Sequence, residues 1–163
     1  MKKNIIFIGA NGAGKTSLAK LIYQQGYHLM KLSPLSDDNE VYIRLASEPF
    51  GIVFDRWSPI DLAVYRHDES LLTEVRRQAE ILNKTSIIFY LENFNEYDDS
   101  FDVARVVQRP NQDQLWDYIQ AYRNYIQILV AAGIHIFWIH VKQNADETLT
   151  GIERIIKENE KIK

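Results

Sequence analysis

The chain has no cysteine among its 163 residues. That excludes a disulfide framework and any thiolate metal site. Long apolar runs are missing as well, and nothing approaches the roughly 18 consecutive apolar residues of a membrane span. The run Ile5-Ile6-Phe7-Ile8, which follows Met1-Lys2-Lys3-Asn4, is too short for the core of a secretory signal. A soluble, cytoplasmic protein without a membrane partner is therefore expected. There is no basic excess: 19 Lys and Arg stand against 22 Asp and Glu, a formal charge of −3. Duplex binders usually carry a strongly basic face, so this balance disfavours a large nucleic-acid partner, although a local basic cleft is compatible with it. The four histidines show no metal-ligand spacing, and His28, His135 and His140 fall in or beside strand-like runs, so they are read as structural. No internal repeat and no low-complexity tract interrupts the chain.

What is present is an ordinary globular composition, 46% apolar. A chain of this length buries about 68–70% of its extended surface, enough for one real core, and residues 1–163 are read as a single domain. Its organising stretch is Gly9-Ala10-Asn11-Gly12-Ala13-Gly14-Lys15-Thr16, which has the spacing of a phosphate-binding P-loop. Glycines let backbone N–H groups curl around a phosphate. The helix opening at Lys15-Thr16-Ser17 presents its unpaired N–H groups and positive dipole end to the same anion. Gly9, Asn11, Gly12, Ala13, Gly14, Lys15, Thr16 and Ser17 are thus the expected nucleotide-binding set. Lys15 reaches the β- and γ-phosphates in such loops, and Thr16 offers its hydroxyl to Mg²⁺. ATP and Mg²⁺ are the expected cofactors.

Apolar runs then alternate with helical patterns. Ile5–Ile8 reads as a central strand because it is apolar without alternation. Helix 1 runs from about Lys15 to Gln25, and a short second strand covers 27–32. A helix carries Val41, Tyr42, Leu45 and Ala46, and a third strand, 51–55, ends in a carboxylate. Residues 61–83 are largely helical with a break near His67, and their apolar stripe is Leu71, Leu72, Val75, Ala79 and Leu82. Strand 86–91 follows, and residues 112–132 form a long helix with Leu115, Ile119, Tyr122, Ile126, Leu129 and Val130 on one side. A fifth strand covers 134–139, and the chain closes with a helix from Glu147 to Lys163. This order predicts an α/β fold: a P-loop nucleoside triphosphate hydrolase-like three-layer sandwich around a five-stranded parallel sheet.

In a parallel sheet, ligands sit beyond the carboxyl ends of the strands. Asp55, at the end of strand 3, is expected on the same rim as the P-loop, followed by Arg56, Trp57 and Ser58. A carboxylate there can hold a Mg²⁺-bound water, making Asp55 a metal-site candidate with Thr16, or it can accept the proton of an attacking hydroxyl. Arg56 can clamp an anionic oxygen with two parallel hydrogen bonds. The plainer alternative is an Asp–Arg pair that caps loop amides.

The P-loop, Phe54-Asp55-Arg56-Trp57-Ser58 and Ala63-Val64-Tyr65 together resemble the thymidylate kinase and deoxynucleoside kinase group. The resemblance implies that Asp55 lies beside the phosphoryl acceptor, Arg56 binds its phosphate or sugar-proximal oxygens, and Tyr65 lines the acceptor site. Arg66 stands where thymidylate kinases continue with Gln. It also implies a small lid at 98–110, within which Arg105 and Arg109 are four residues apart and share a face if helical. Mobile cations that close over the transferring group are what the chemistry requires. The plainer reading is a solvated pair. Arg44 is a candidate for the acceptor phosphate and Trp57 for stacking on a base, each with a structural alternative, surface or core. Dimerisation is carried over from the same group.

These features point to ATP-dependent phosphoryl transfer to a nucleotide acceptor, foremost a (deoxy)nucleoside monophosphate of thymidylate type. A kinase acting on a modified base or terminus in DNA stands second. A nucleoside triphosphate hydrolase or switch stands apart from both; the chain lacks the Asn-Lys-x-Asp base-reading motif and has no apolar strand ending in Asp-Glu.

Overall fold

A computed structural model describes residues 2–10, 13–30, 39–93, 112–141 and 145–161. Five strands, β1 (Asn4–Ile8), β2 (His28–Met30), β3 (Ile52–Phe54), β4 (Ser86–Glu92) and β5 (Ile136–His140), form one sheet in the order β2-β3-β1-β4-β5. Every pairing is parallel. β1 lies at the centre, with Ile5 opposite Val53 on one side and Ile87 on the other. Its five residues are all buried, which is why its sequence shows no polar alternation.

The period of two splits the core. Ile6, Ile8, Phe54, Ile88 and Tyr90 face one helical layer, with Tyr42 from α2 (Asn39–Ala46), Ile60 and Val64 from α3 (Ser58–Arg66), and Tyr122, Ile126 and Leu129 from α6 (Gln112–Ala131). Ile5, Phe7, Val53, Ile87 and Phe89 face the other, where α1 (Lys15–Tyr23) supplies Leu18, Ala19 and Ile22 and α7 (Ala145–Lys161) supplies Ile152 and Ile156. The result is the expected three-layer sandwich.

Differences from the sequence reading have local causes. The helical stretch before β4 breaks at His67 as expected, where a φ of 52° ends α3 in a left-handed cap, but it is divided further than expected. It resumes as a 3₁₀ turn (Glu69–Leu72) whose Ser70 amide is capped by the Asp68 carboxylate, followed by α4 (Thr73–Arg77) and α5 (Ala79–Thr85). β5 starts two residues later than expected, at Ile136, because Ile134 is already buried under the end of α6, its amide donating to the Leu129 carbonyl. Val130 was expected inward on α6 but is 50% exposed, and Val41 on α2 is exposed too; in both helices the apolar face turns past them, toward Leu129 and Tyr42.

Candidate active site

The P-loop begins where β1 ends. Gly9 has φ 149°, and a Cβ there would stand 2.5 Å from the Leu91 carbonyl oxygen on β4, so the backbones approach as only glycine permits. Gly14 caps α1 with φ 96°, and neither a side-chain cap nor an acidic residue occupies the helix start. The first turn of α1 is therefore left with N–H groups suited to an anion. Lys15 is buried, and its ammonium donates to the Gly9 carbonyl. Ser17 is exposed on the same turn. Asn11 and Gly12 lie outside the described residues, as do Arg105, Arg109 and the expected lid.

β3 delivers Asp55 to this rim. The Thr16 hydroxyl donates to its carboxylate, with Oγ1 2.8 and 3.1 Å from the two oxygens. The expected convergence of Thr16 and Asp55 is thus present, from residues 39 positions apart. A hydroxyl and a carboxylate are hard oxygen donors of the kind Mg²⁺ takes alongside several waters. Among the described residues there is no cluster of three or more His, Asp or Glu side chains that could hold a metal ion. Arg56 follows Asp55 and is half-buried.

Three acceptor-side candidates sit as follows. Tyr65, on the last turn of α3, packs against Tyr118 with ring centroids 4.5 Å apart and meets Tyr122 edge-on. Arg44 is 78% exposed on α2 and pairs with Glu40, a surface ion pair one helical turn long. Trp57 takes the core alternative over the base-stacking one: its ring is fully buried beside β3 rather than open to a ligand. The apolar surface of an indole, placed directly after a short buried strand, is better satisfied by that core than by solvent. Among the described residues its Nε1–H and the Ser58 hydroxyl have no hydrogen-bond partner.

Two buried carboxylates complete the rim. Asp61 is fully buried in α3. Its carboxylate accepts from the Gly9 amide at 3.3 Å, from the Trp57 amide at 3.1 Å and from the Tyr122 hydroxyl. The Tyr122 hydroxyl also lies 3.0 Å from the Gly9 carbonyl oxygen. Burial, reinforced by the Asp61 carboxylate, pushes the Tyr122 phenol well above its ordinary value, so it acts as a neutral donor. The available signal was a lone carboxylate inside the apolar run Pro59-Ile60-Asp61-Leu62-Ala63-Val64. Glu92, at the end of β4, is buried and takes both Nε and Nη2 of Arg123, at 3.1 and 2.6 Å, plus the Tyr90 hydroxyl at 2.9 Å. The Arg123 guanidinium also lies against the rings of Trp116 and Trp138, 5.8 and 5.6 Å from their centroids. Arg123 had no sequence signal, since nothing in a helical period announces an ion pair with a strand end.

No protein-family model and no curated protein matches the chain. Solved structures do. The YorR protein from Bacillus subtilis, in complex with phosphorylated GDP, superposes with a TM-score of 0.72 at 20% identity, over 95% of this chain and 96% of that one. The chain has the P-loop nucleoside triphosphate hydrolase fold. Deoxyadenosine kinase from M. mycoides with bound dCTP superposes with a TM-score of 0.54 at 17% identity, over 95% of this chain and 99% of that one. Among the described residues, no helix is long and apolar enough to cross a membrane.

Proposed function

We propose that the protein is an ATP-dependent phosphotransferase that passes the γ-phosphoryl group to a nucleotide-type acceptor held over Asp55 and Arg56. One observation carries the reading: the Thr16 hydroxyl and the Asp55 carboxylate meet at 2.8 Å, which joins the phosphate-binding turn to the end of β3. The chain's own residues divide the work. The loop amides and the N-terminus of α1 bind the phosphates, and Lys15 moves from the Gly9 carbonyl to the β- and γ-oxygens. Asp55 accepts the proton of an attacking acceptor hydroxyl or, for a phosphate acceptor, orients it. Arg56 holds the acceptor's anionic oxygens. Thr16 and Asp55 are the residues that would hold Mg²⁺, which supplies charge neutralisation at the transferring group. Arg105 and Arg109 serve as the closing cations.

The acceptor we favour is a (deoxy)nucleoside monophosphate of thymidylate type. The Asp55-Arg56-Trp57-Ser58 and Ala63-Val64-Tyr65 pattern supports it, with several arginines available for a second phosphate. The likeness in fold to a deoxyadenosine kinase, and to YorR solved with phosphorylated GDP, supports a nucleotide acceptor in general. The test is ATP-dependent phosphorylation across nucleosides, their monophosphates and short DNA, with Asp55→Ala as control. Transfer to a monophosphate that drops at least about a hundredfold in the control is the expected result. Transfer to DNA alone moves the acceptor to a polynucleotide terminus. ATP hydrolysis indifferent to every acceptor refutes the phosphotransferase reading.

A further inference from the structure

We infer that Asp61 and Tyr122 form a positioning pair that sets the distance between the phosphate-binding loop and the Asp55–Arg56 segment. The inference rests on the phosphotransferase reading for its consequence but on separate residues for its geometry. The two oxygens of one carboxylate reach two different chain segments. Oδ1 accepts from the amide of Gly9, the first loop residue after β1. Oδ2 accepts from the amide of Trp57, two residues beyond Asp55. One rigid, fully buried group therefore bridges the segment that holds the donor phosphates and the segment that holds the acceptor. Tyr122 extends the bridge to a third element, because its hydroxyl donates to Oδ1 and also lies 3.0 Å from the Gly9 carbonyl oxygen. Both sides of the Gly9 residue are thus engaged, and its carbonyl is the group that Lys15 contacts.

Stability alone does not account for this arrangement. The strands on either side are already joined by parallel ladders. Burying a carboxylate is costly relative to an apolar residue of similar volume, and a satisfied buried network chiefly enforces one geometry. At the opposite end of the sheet a comparable buried bond, the Thr85 hydroxyl donating to the Ala46 carbonyl at 2.6 Å, touches no residue of the site. It provides a matched control. In phosphoryl transfer, where positioning supplies much of the rate, displacement by about 1 Å costs on the order of a hundredfold.

The experiment compares Tyr122→Phe, Asp61→Asn and Thr85→Val in the full chain, by thermal midpoint, ATP affinity by calorimetry, and kcat and KM with the acceptor found above. Tyr122→Phe is expected to lower kcat about tenfold while weakening ATP only about threefold, with Asp61→Asn larger in both; Thr85→Val stays within about twofold at a similar loss of thermal midpoint. If Tyr122→Phe and Thr85→Val lose kcat equally, the pair is packing and the inference is overturned. If the unmodified protein transfers phosphate to no acceptor, the functional reading fails by itself. ATP affinity then decides the inference: a loss in Tyr122→Phe beyond that of Thr85→Val upholds it, and equal affinities overturn it.

Discussion

Replacing Gly9 with alanine tests the loop at the point where β1 hands over to it. The added Cβ would stand 2.5 Å from the Leu91 carbonyl oxygen, far inside ordinary contact, and the obstacle is backbone rather than a side chain that could swing away. Leu91 belongs to β4, hydrogen-bonded between β1 and β5, so the loop has to yield rather than the sheet. Overpacking of this kind costs about 1–3 kcal/mol. The positive φ of 149° adds strain of about 1–2 kcal/mol for a residue with a Cβ. Together these suggest about 3 kcal/mol, or a fall of roughly 6–12 °C in thermal midpoint for a chain of this size. Because Gly9 also carries the Lys15 and Asp61 contacts, ATP affinity should fall with it. Calorimetric unfolding and an ATP titration on the same sample check both. A variant within about 2 °C of the parent that binds ATP as well would refute the close approach and the argument built on it.

The remaining expectations are narrower. Arg123→Met leaves buried Glu92 with the Tyr90 hydroxyl as its main partner; the usual loss of about 3–5 kcal/mol is discounted to about 2 because the Arg123 side chain is 30% exposed. Adding Glu92→Gln should recover at least half of it in urea unfolding, and a double variant as unstable as the sum of the singles would count against the pair. The Tyr27 phenol is pushed up to about 12, chiefly by burial and then by Glu160, and burial also raises Tyr122 well above its ordinary value. Raised values favour the protonated native state, so this stability is fully present below pH 10 and is lost as pH rises toward 12. Tyrosinate absorbance should accordingly show fewer than nine tyrosines titrating near pH 10 before unfolding, and a full complement there would contradict the burial. Trp57→Phe should destabilise by about 1–2 kcal/mol with the acceptor KM unchanged, since the ring faces the core; a raised KM would return Trp57 to the acceptor site.

Much of this is legible in the sequence. Ile5–Ile8 announced a strand buried on both faces by lacking alternation, and Gly14-Lys15-Thr16 announced the turn and helix that follow it. Most of the inward faces of α6 and α7 followed from helical period, which is a local property of the chain, while Val130 turns outward. Asp55 could be assigned to the rim because a strand's carboxyl end points there whatever its neighbours are.

Sequence by itself therefore determined the α/β class, the glycine-rich turn between β1 and α1, and the edge of the sheet on which the candidate site lies, because those depend on periodicity and on spacing within one short segment. Tertiary structure alone decided the strand order, the choice of core over ligand for Trp57, the pairing of Glu92 with Arg123, and the Asp61 carboxylate shared by Gly9, Trp57 and Tyr122. Each of these joins residues distant along the chain. Their partners are chosen by how helices settle on the sheet and by the need of every buried polar group for a hydrogen bond, and no local pattern encodes that choice.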